Sequence, residues 1–128
     1  MSEPTESRVP VVLHFRGGRT EHVLAPPQID PERQTVSVTN EDGSGRDVGF
    51  SELKALFFLR DPAAEVPREV PAGSTLAVEF ADGELIRGIT GEYNPTAGGF
   101  YLYPHDRSKN DRIFVVNSAV VSIDVEKL

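Results

Sequence analysis

The stretch VEFADG, residues 78–83, decides the fold together with its counterpart LHFRGG, residues 13–18. In both, an apolar residue, a polar residue and a phenylalanine precede a tight turn that ends in glycine. Alternation of this kind is typical of a half-buried β-strand, and a glycine turn after it indicates a β-hairpin. Gly17-Gly18 and Asp82-Gly83 predict two-residue type I′ turns, because such pairs tolerate positive φ.

The similarity between the two segments extends through five predicted strands each. When the turn glycines are aligned and gaps of one or two residues are allowed at the turns, Ser51 falls on Asn117 and Phe57 on Ile123. Ser and Asn favour the start of a helical turn, so a single helical turn is predicted before the last strand of each copy. The further stretches that match are 29–38 with 93–102 and 46–59 with 111–125.

Five short strands with one helical turn before the last are typical of SH3-like and Sm-like barrels. We therefore predict an all-β protein of two tandem five-stranded SH3-like or Sm-like small barrels, related by an internal repeat. The segment between them holds three prolines and no strand pattern, which predicts a stiff linker. The predicted parts are a disordered N-terminus at 1–8, a first barrel at 9–60, a linker at 61–74 and a second barrel at 75–128.

Composition excludes several classes of function. The chain has 128 residues, a formal net charge of −7 and no cysteine. An acidic protein is poorly suited to nucleic acid, where phosphate neutralisation supplies most of the affinity. No apolar run approaches the roughly 18–20 residues that span a bilayer. We expect a cytoplasmic protein that neither binds nucleic acid nor inserts into a membrane.

The histidines and serines form no pattern that indicates catalysis. His14 and His22 are expected on opposite faces of one hairpin, which disfavours a shared metal ion. His105 lies in a loop with Asp106 and Asp111, where a solvated loop is favoured over a weak metal site. No serine lies in a nucleophile elbow, and no thiol exists. We expect no enzyme activity, no metal and no cofactor.

If the shared positions encode the fold, function is expected where the copies differ. On the third strand, the predicted outward pair is Ser37 and Thr39 in the first copy but Tyr101 and Tyr103 in the second. Tyr93 lies just upstream. Tyrosine is enriched at interfaces because it is large and stiff and carries a hydrogen-bonding tip. This face is therefore a predicted partner-binding surface.

The last strand shows the reverse difference. Its predicted outward positions hold Leu56 and Phe58 in the first copy but Ser122 and Asp124 in the second. An exposed apolar pair would be a candidate binding patch. Its predicted inward positions are apolar in both copies, namely Ala55, Phe57 and Leu59 in the first and Val121, Ile123 and Val125 in the second.

Two alternatives follow for Leu56 and Phe58. Either they pack on Tyr101 and Tyr103 and hold the copies together, or they bind a partner protein or a second copy of this chain. An unpaired strand edge could also accept a partner strand. The predicted partner-binding residues are Tyr101, Tyr103, Tyr93, Leu56 and Phe58.

Four segments resemble a β-rich bacterial domain family of proteobacteria and acidobacteria: LKALFFLRD, VEFADGELIRGITGEYNP, GFYLYP and NDRIFVVNSAV. The resemblance spans residues 10–124 and is most specific in the second copy. Such domains resemble regulatory attachments beside signalling and repeat modules. The resemblance implies a non-catalytic adaptor or regulatory module in bacterial signalling, with another protein as partner and a homodimer as one possible assembly.

A second resemblance gives the alternative function. NPTAGG, residues 94–99, resembles the second signature of PilZ domains, which are cyclic-di-GMP receptors. That resemblance implies a nucleotide site at Asn94, Thr96 and Gly99, with Arg87 or Arg107 beside it. The first PilZ signature, two arginines separated by three residues, does not occur in the chain. A Pro-initiated turn that leads into the next strand is the structural alternative.

Overall fold

The computed structural model describes residues 8–60, 72–105 and 110–126, and its regular elements are strands and two short 3₁₀ helices. The 3₁₀ helices, Phe50–Glu52 and Asn117–Ala119, each precede the last strand of a half, as the sequence predicts. The strands are β1 (Val9–Phe15), β2 (Thr20–Ala25), β3 (Thr35–Thr39), β4 (Gly45–Gly49), β5 (Leu53–Leu59), β6 (Ser74–Phe80), β7 (Leu85–Thr90), β8 (Gly99–Leu102), β9 (Asn110–Val116) and β10 (Val120–Glu126).

The strands form two antiparallel sheets. The larger has the order β4-β3-β2-β1-β5-β9-β8, and the smaller has the order β10-β6-β7. Two backbone hydrogen bonds join the sheets, because Ile89 and Tyr103 each donate to the other's carbonyl at 2.8 Å. The all-β prediction is confirmed.

Strand pairing repeats between the first half, β1–β5, and the second half, β6–β10. In the first half β1 pairs with β2 and β5, β2 touches β3 at Leu24 and Thr39, and β3 pairs with β4. In the second half β6 pairs with β7 and β10, β7 touches β8 at Ile89 and Tyr103, and β8 pairs with β9. The order of pairing is the same in both halves.

Two closed barrels are not confirmed. Strand β5 of the first half pairs along its length with β9 of the second, so that the halves share the larger sheet. Neither sheet closes on itself within the described residues. Most of the predicted linker, 61–71, and nearly all of the predicted N-terminal segment, 1–7, lie outside those residues. Strand β6 begins at Ser74, one residue before the predicted start of the second unit.

The hairpin turns differ from the prediction by one residue. Phe15 donates to the carbonyl of Arg19 at 2.9 Å, which closes a three-residue loop at 16–18. Only Gly18 in this loop has a positive φ, at 94°. Such a loop matches a type I turn followed by one left-handed residue, not a type I′ turn. The loop before Glu84 is closed in the same way, with Gly83 at φ 89°.

Strand β5 is buried on both faces, which explains its nearly continuous apolar sequence LKALFFL. Leu56 and Phe58 face a core formed mainly by the first half, to which the second half adds Tyr101, Phe114 and Val116. The opposite face packs on the core of the second half. That second core comprises Ala55, Leu76, Val78, Phe80, Phe100, Leu102, Ile113, Val115 and Ala119.

The last strands align one residue away from the predicted register. Phe50 donates to Gln34 at 2.9 Å just as Asn117 donates to Gly98 at 3.0 Å, so Phe50, not Ser51, is the counterpart of Asn117. This slip makes Leu56 and Phe58, which were aligned with outward positions, the counterparts of Ile123 and Val125. Ile123 pairs with buried Val78 and packs partly buried against the second core, as predicted. The prediction that Val121 and Val125 are buried is wrong, because they are 59% and 58% exposed.

Candidate partner-binding surface

Tyr101, predicted to face outward, is buried between the halves. Its side chain is 9% exposed, and its hydroxyl accepts a hydrogen bond from the backbone N–H of Ile29 at 2.8 Å. Its ring lies 6.0 Å from that of Phe58 and 5.3 Å from that of Phe114. Burial raises the pKa of the Tyr101 hydroxyl above its ordinary value. The prediction of an exposed Tyr101 is wrong, because this side chain closes the first core.

Leu56 and Phe58 are also buried, so the prediction that they point outward is wrong. The guanidinium of Arg112 lies 4.2 Å from the centre of the Phe58 ring and 5.3 Å from that of Tyr101. The same side chain donates to the carbonyl of Pro27. Tyr103 is half-buried against the same core. Of the two alternatives for these residues, packing between the halves is the one observed.

Tyr93 is the predicted tyrosine that remains exposed, at 39%. Its ring meets that of Phe100 edge to face, with centroids 5.0 Å apart. An open groove of about 290 Å³ runs from this ring to strand β10. The groove is lined by Tyr93, Pro95, Asn117, Val120, Val121, Ser122 and Ile123.

The loop that carries Tyr93 is held against the start of β10 by hydrogen bonds. The Asn117 side chain, in the 3₁₀ helix before β10, donates to the carbonyls of Asn94 and Ala97, both at 2.9 Å. The Asn94 side-chain oxygen accepts from the N–H and the hydroxyl of Thr96 at 3.0 and 2.8 Å. These bonds hold the loop that forms one wall of the groove.

The residues of the predicted nucleotide site serve structural contacts. Asn94 and Thr96 bond each other, as an Asx turn requires. Gly99 is buried, and a Cβ atom there would lie 2.4 Å from the carbonyl oxygen of Val115. Arg87 pairs with Glu126 at 3.3 Å, and Arg107 lies outside the described residues. Close packing explains Gly99 without a ligand.

Strand β10 presents an open edge beside the groove. Phe80 donates to Glu84 at 3.0 Å, and antiparallel bonding alternates from that pair along β6. It follows that Ser122, Asp124 and Glu126 bond to β6, opposite Glu79, Ala77 and Thr75. The backbone groups of Ile123 and Val125 therefore point away from the sheet. Within the described residues, β10 is the last strand on this side.

A buried lysine, which sequence reasoning missed, joins β5 to the β6–β7 turn. The Lys54 side chain is 7% exposed, and its Nζ donates to Asp82 at 2.8 Å and to Glu84. The amine also lies 5.1 Å from the centre of the Phe80 ring. Burial opposes its charge, but the two carboxylates outweigh burial and raise the pKa of Lys54. The signal in the sequence was a single cation in an otherwise apolar strand.

Near this ion pair, the His14 ring stacks on that of Phe57 with centroids 4.0 Å apart. Burial lowers the pKa of His14, with Glu84 opposing and Lys54 adding to the shift. Nowhere in the described ranges do three His, Asp or Glu side chains form a group that could hold a metal ion. Nor does the described part of the chain contain a helix that is long and apolar enough to span a membrane.

The surface therefore offers unpaired backbone groups, two exposed valines and a tyrosine in a fixed groove, which together suit a peptide ligand. No curated protein and no solved structure matches the chain. Residues 7–127 do match a protein family. The chain therefore belongs to DUF6982, a family of unknown function.

Proposed function

We propose that this protein is a non-catalytic adaptor or regulatory module of bacterial signalling, active in the cytoplasm, that binds an extended segment of a partner protein along β10. The observation that carries the proposal is the open edge of β10, where Val121 and Val125 are exposed beside the groove under Tyr93. An open strand edge with exposed apolar side chains is a site for strand addition.

The partner segment adds one strand to the three-stranded sheet. Ile123 and Val125 supply the main-chain hydrogen bonds, and their direction is set by the β6·β10 pairing. Specificity comes from the groove, where a side chain of the partner contacts Tyr93 and Pro95. Exposed Asp124 on the same strand favours a segment that carries a basic residue.

We also propose that each half is an open SH3-like or Sm-like unit. The support is the pairing order, which is the same in β1–β5 and β6–β10. Small β-units of this kind bind ligands on strand edges and loops. The resemblance to regulatory bacterial domains supports the same class of function.

A pull-down from a lysate of the native host tests the proposal. Bait carrying Val125→Lys places a charge on the β10 edge, and bait carrying Tyr93→Ser removes the aromatic wall of the groove. Leu85→Lys is the matched control, because Leu85 is 53% exposed and lies on β7, away from that edge. We expect one partner that is retained by wild type and Leu85→Lys and lost with the other two. A partner that all four baits retain contradicts the site.

The alternative function, a receptor for a cyclic dinucleotide, gains no support from Asn94 and Gly99, whose contacts are internal. A thermal-shift scan tests it independently of any protein partner. A ligand at 100 times its dissociation constant stabilises the folded state by about 2.7 kcal/mol. A shift of that size with cyclic-di-GMP would favour the receptor over the adaptor.

A further inference from the structure

Within the described residues the two sheets end in β4, β8, β7 and β10, and the Ile89–Tyr103 bridge joins the β7 and β8 ends, which leaves the edges of β4 and β10 without such a contact. We propose that β10 pairs antiparallel with β10 of a second copy, about a two-fold axis through Ile123. This inference rests on the proposed function, because it uses the same edge and says what occupies that edge when the partner segment is absent. The result is a continuous six-stranded sheet across the dimer.

The pattern of open backbone groups sets the register of the pair. Ile123 is the middle residue of β10, Val120–Glu126, so an axis through it pairs the whole strand with its copy. The backbone N–H and C=O groups of Ile123 and Val125 point outward. In this register Ile123 of one copy exchanges hydrogen bonds with Ile123 of the other, and Val125 of each copy does so with Val121 of the other. Val121 lies at the bulge of β10 and has no residue opposite it on β6, since the pairing there passes from Val120 to Ser122.

Side-chain chemistry agrees with this register. The two exposed valines, Val121 and Val125, meet across the axis twice in each dimer and lose contact with water. Asp124 stands opposite Ser122 of the second copy, an uncharged residue whose hydroxyl donates to Glu79 of its own chain at 3.1 Å. An axis at Asp124 would place the two copies of this carboxylate opposite each other, and an axis at Val125 would oppose it with Glu126. Both of those registers are disfavoured by repulsion.

The β4 edge is a poorer partner for β10. In the repeat, β10 is the counterpart of β5, and β4 is the counterpart of β9. Pairing of β10 with β4 of a second copy would therefore be equivalent to the β5·β9 pairing within one chain. Strand β9 brings Ile113 and Phe114 to that junction, both buried. The counterparts on β4 are Arg46 and Asp47, and Asp47 is exposed. A charged edge strand resists pairing, so the symmetric β10 pair is favoured over a head-to-tail chain.

The dimer would regulate the proposed site, because a partner segment and a second copy compete for the same hydrogen bonds. A single pair of strands buries less surface than about 1,200 Å², and interfaces below that size are typical of weak complexes. The dimer is therefore expected to dissociate at low concentration and to yield to a tighter partner.

Sedimentation equilibrium of the purified full-length chain tests the dimer. We expect wild type and Leu85→Lys to pass from monomer to dimer with rising concentration, and Val125→Lys to dimerise at least about tenfold more weakly, because a lysine on an edge strand opposes pairing. A wild type that stays monomeric, a species that grows beyond the dimer, or a Val125→Lys chain that dimerises as well as wild type overturns the proposal.

The chain has no cysteine, so introduced thiols report the register directly. Opposed residues of a hydrogen-bonded pair have Cα atoms about 5.5 Å apart, within the range that a disulfide spans. We expect a mixture of Val121→Cys and Val125→Cys chains to give a disulfide-linked dimer on mild oxidation, with little from either variant alone. Equal cross-linking in all three samples, or none in the mixture, overturns the register.

Failure of this inference is distinguishable from failure of the proposed function. A monomeric wild type whose lysate partner is lost with Val125→Lys overturns the dimer and leaves the partner site standing. A dimer that forms as described while no partner is captured by the edge supports the inference and contradicts the adaptor proposal.

Discussion

The rings of Phe58 and Tyr101 lie 6.0 Å apart across the boundary between the two halves of the chain. Phe58 belongs to β5 and Tyr101 to β8, and Arg112 of the intervening strand β9 covers both rings. The contact makes the second half part of the core of the first. The halves are therefore expected to unfold together.

Loss of the Tyr101 hydroxyl tests how strongly the two halves are joined. Tyr101→Phe keeps the ring contacts but leaves the buried N–H of Ile29 without its acceptor. An unsatisfied buried donor costs roughly 1–3 kcal/mol, so we expect the free energy of unfolding to fall by that amount in urea titrations. Tyr93→Phe, at an exposed position, is the control and should change it little. An unchanged stability of Tyr101→Phe would show that water replaces the hydroxyl.

The ion pair of Lys54 predicts that removing the lysine costs less stability than removing the charges of its two carboxylate partners. Lys54→Met replaces a buried amine by an apolar chain and leaves two partly exposed carboxylates that water can solvate. The double variant Asp82→Asn/Glu84→Gln instead leaves the amine buried without a countercharge. We expect the double variant to lower the unfolding free energy clearly more than Lys54→Met does. Equal losses in denaturant titrations would mean that Lys54 is solvated.

The pKa shifts of Asp82 and Lys54 predict how the contribution of this ion pair to stability depends on pH. The hydrogen bond from Lys54 lowers the pKa of Asp82, so its contribution is present above its ordinary pKa of 3.8 and is lost as pH falls through the lowered value. The raised pKa of Lys54 keeps its contribution intact up to about its ordinary value of 10.5 and removes it at higher pH. Wild type should therefore lose more stability than Lys54→Met at both extremes.

His14 predicts a loss of stability on mild acidification. Burial lowers its pKa, so the unfolded chain takes up the proton more readily than the folded one. Stability therefore declines as the pH falls from 6.5, the ordinary pKa of histidine, toward the lowered pKa of His14 in the folded state. Chemical denaturation between pH 8 and pH 5 measures this, since roughly these limits bracket a histidine titration. His14→Gln should flatten the decline, and a decline of the same size in His14→Gln as in wild type would contradict this assignment.

The succession of strands along the chain, the two hairpins and both helical turns could be predicted from the sequence, because local alternation and turn residues encode them. The length of the hairpin loops could not be predicted, because a glycine pair such as Gly17-Gly18 fits a loop of two residues or a loop of three. The alignment of the last strands could not be predicted to the residue either. Leu56 and Phe58 are the counterparts of Ile123 and Val125, which explains why they do not face outward.

The burial of Leu56 and Tyr101 could not be predicted from either copy alone. It depends on β5 pairing with β9, a contact between residues of different halves. An apolar run such as LKALFFL is compatible with one exposed face or with two buried ones. Tyr93 is exposed, while the open edge of β10 follows only from the order of strands in the sheet.

The most direct test of the central claim is amide hydrogen exchange along β10, measured in the free chain at low concentration and in complex with the captured partner. Ser122, Asp124 and Glu126 should be protected in both states, because their N–H groups bond to β6. We predict that Ile123 and Val125 exchange freely in the isolated chain and become protected in the complex. Amides of Ile123 and Val125 that stay unprotected while the partner is bound would contradict strand addition at β10.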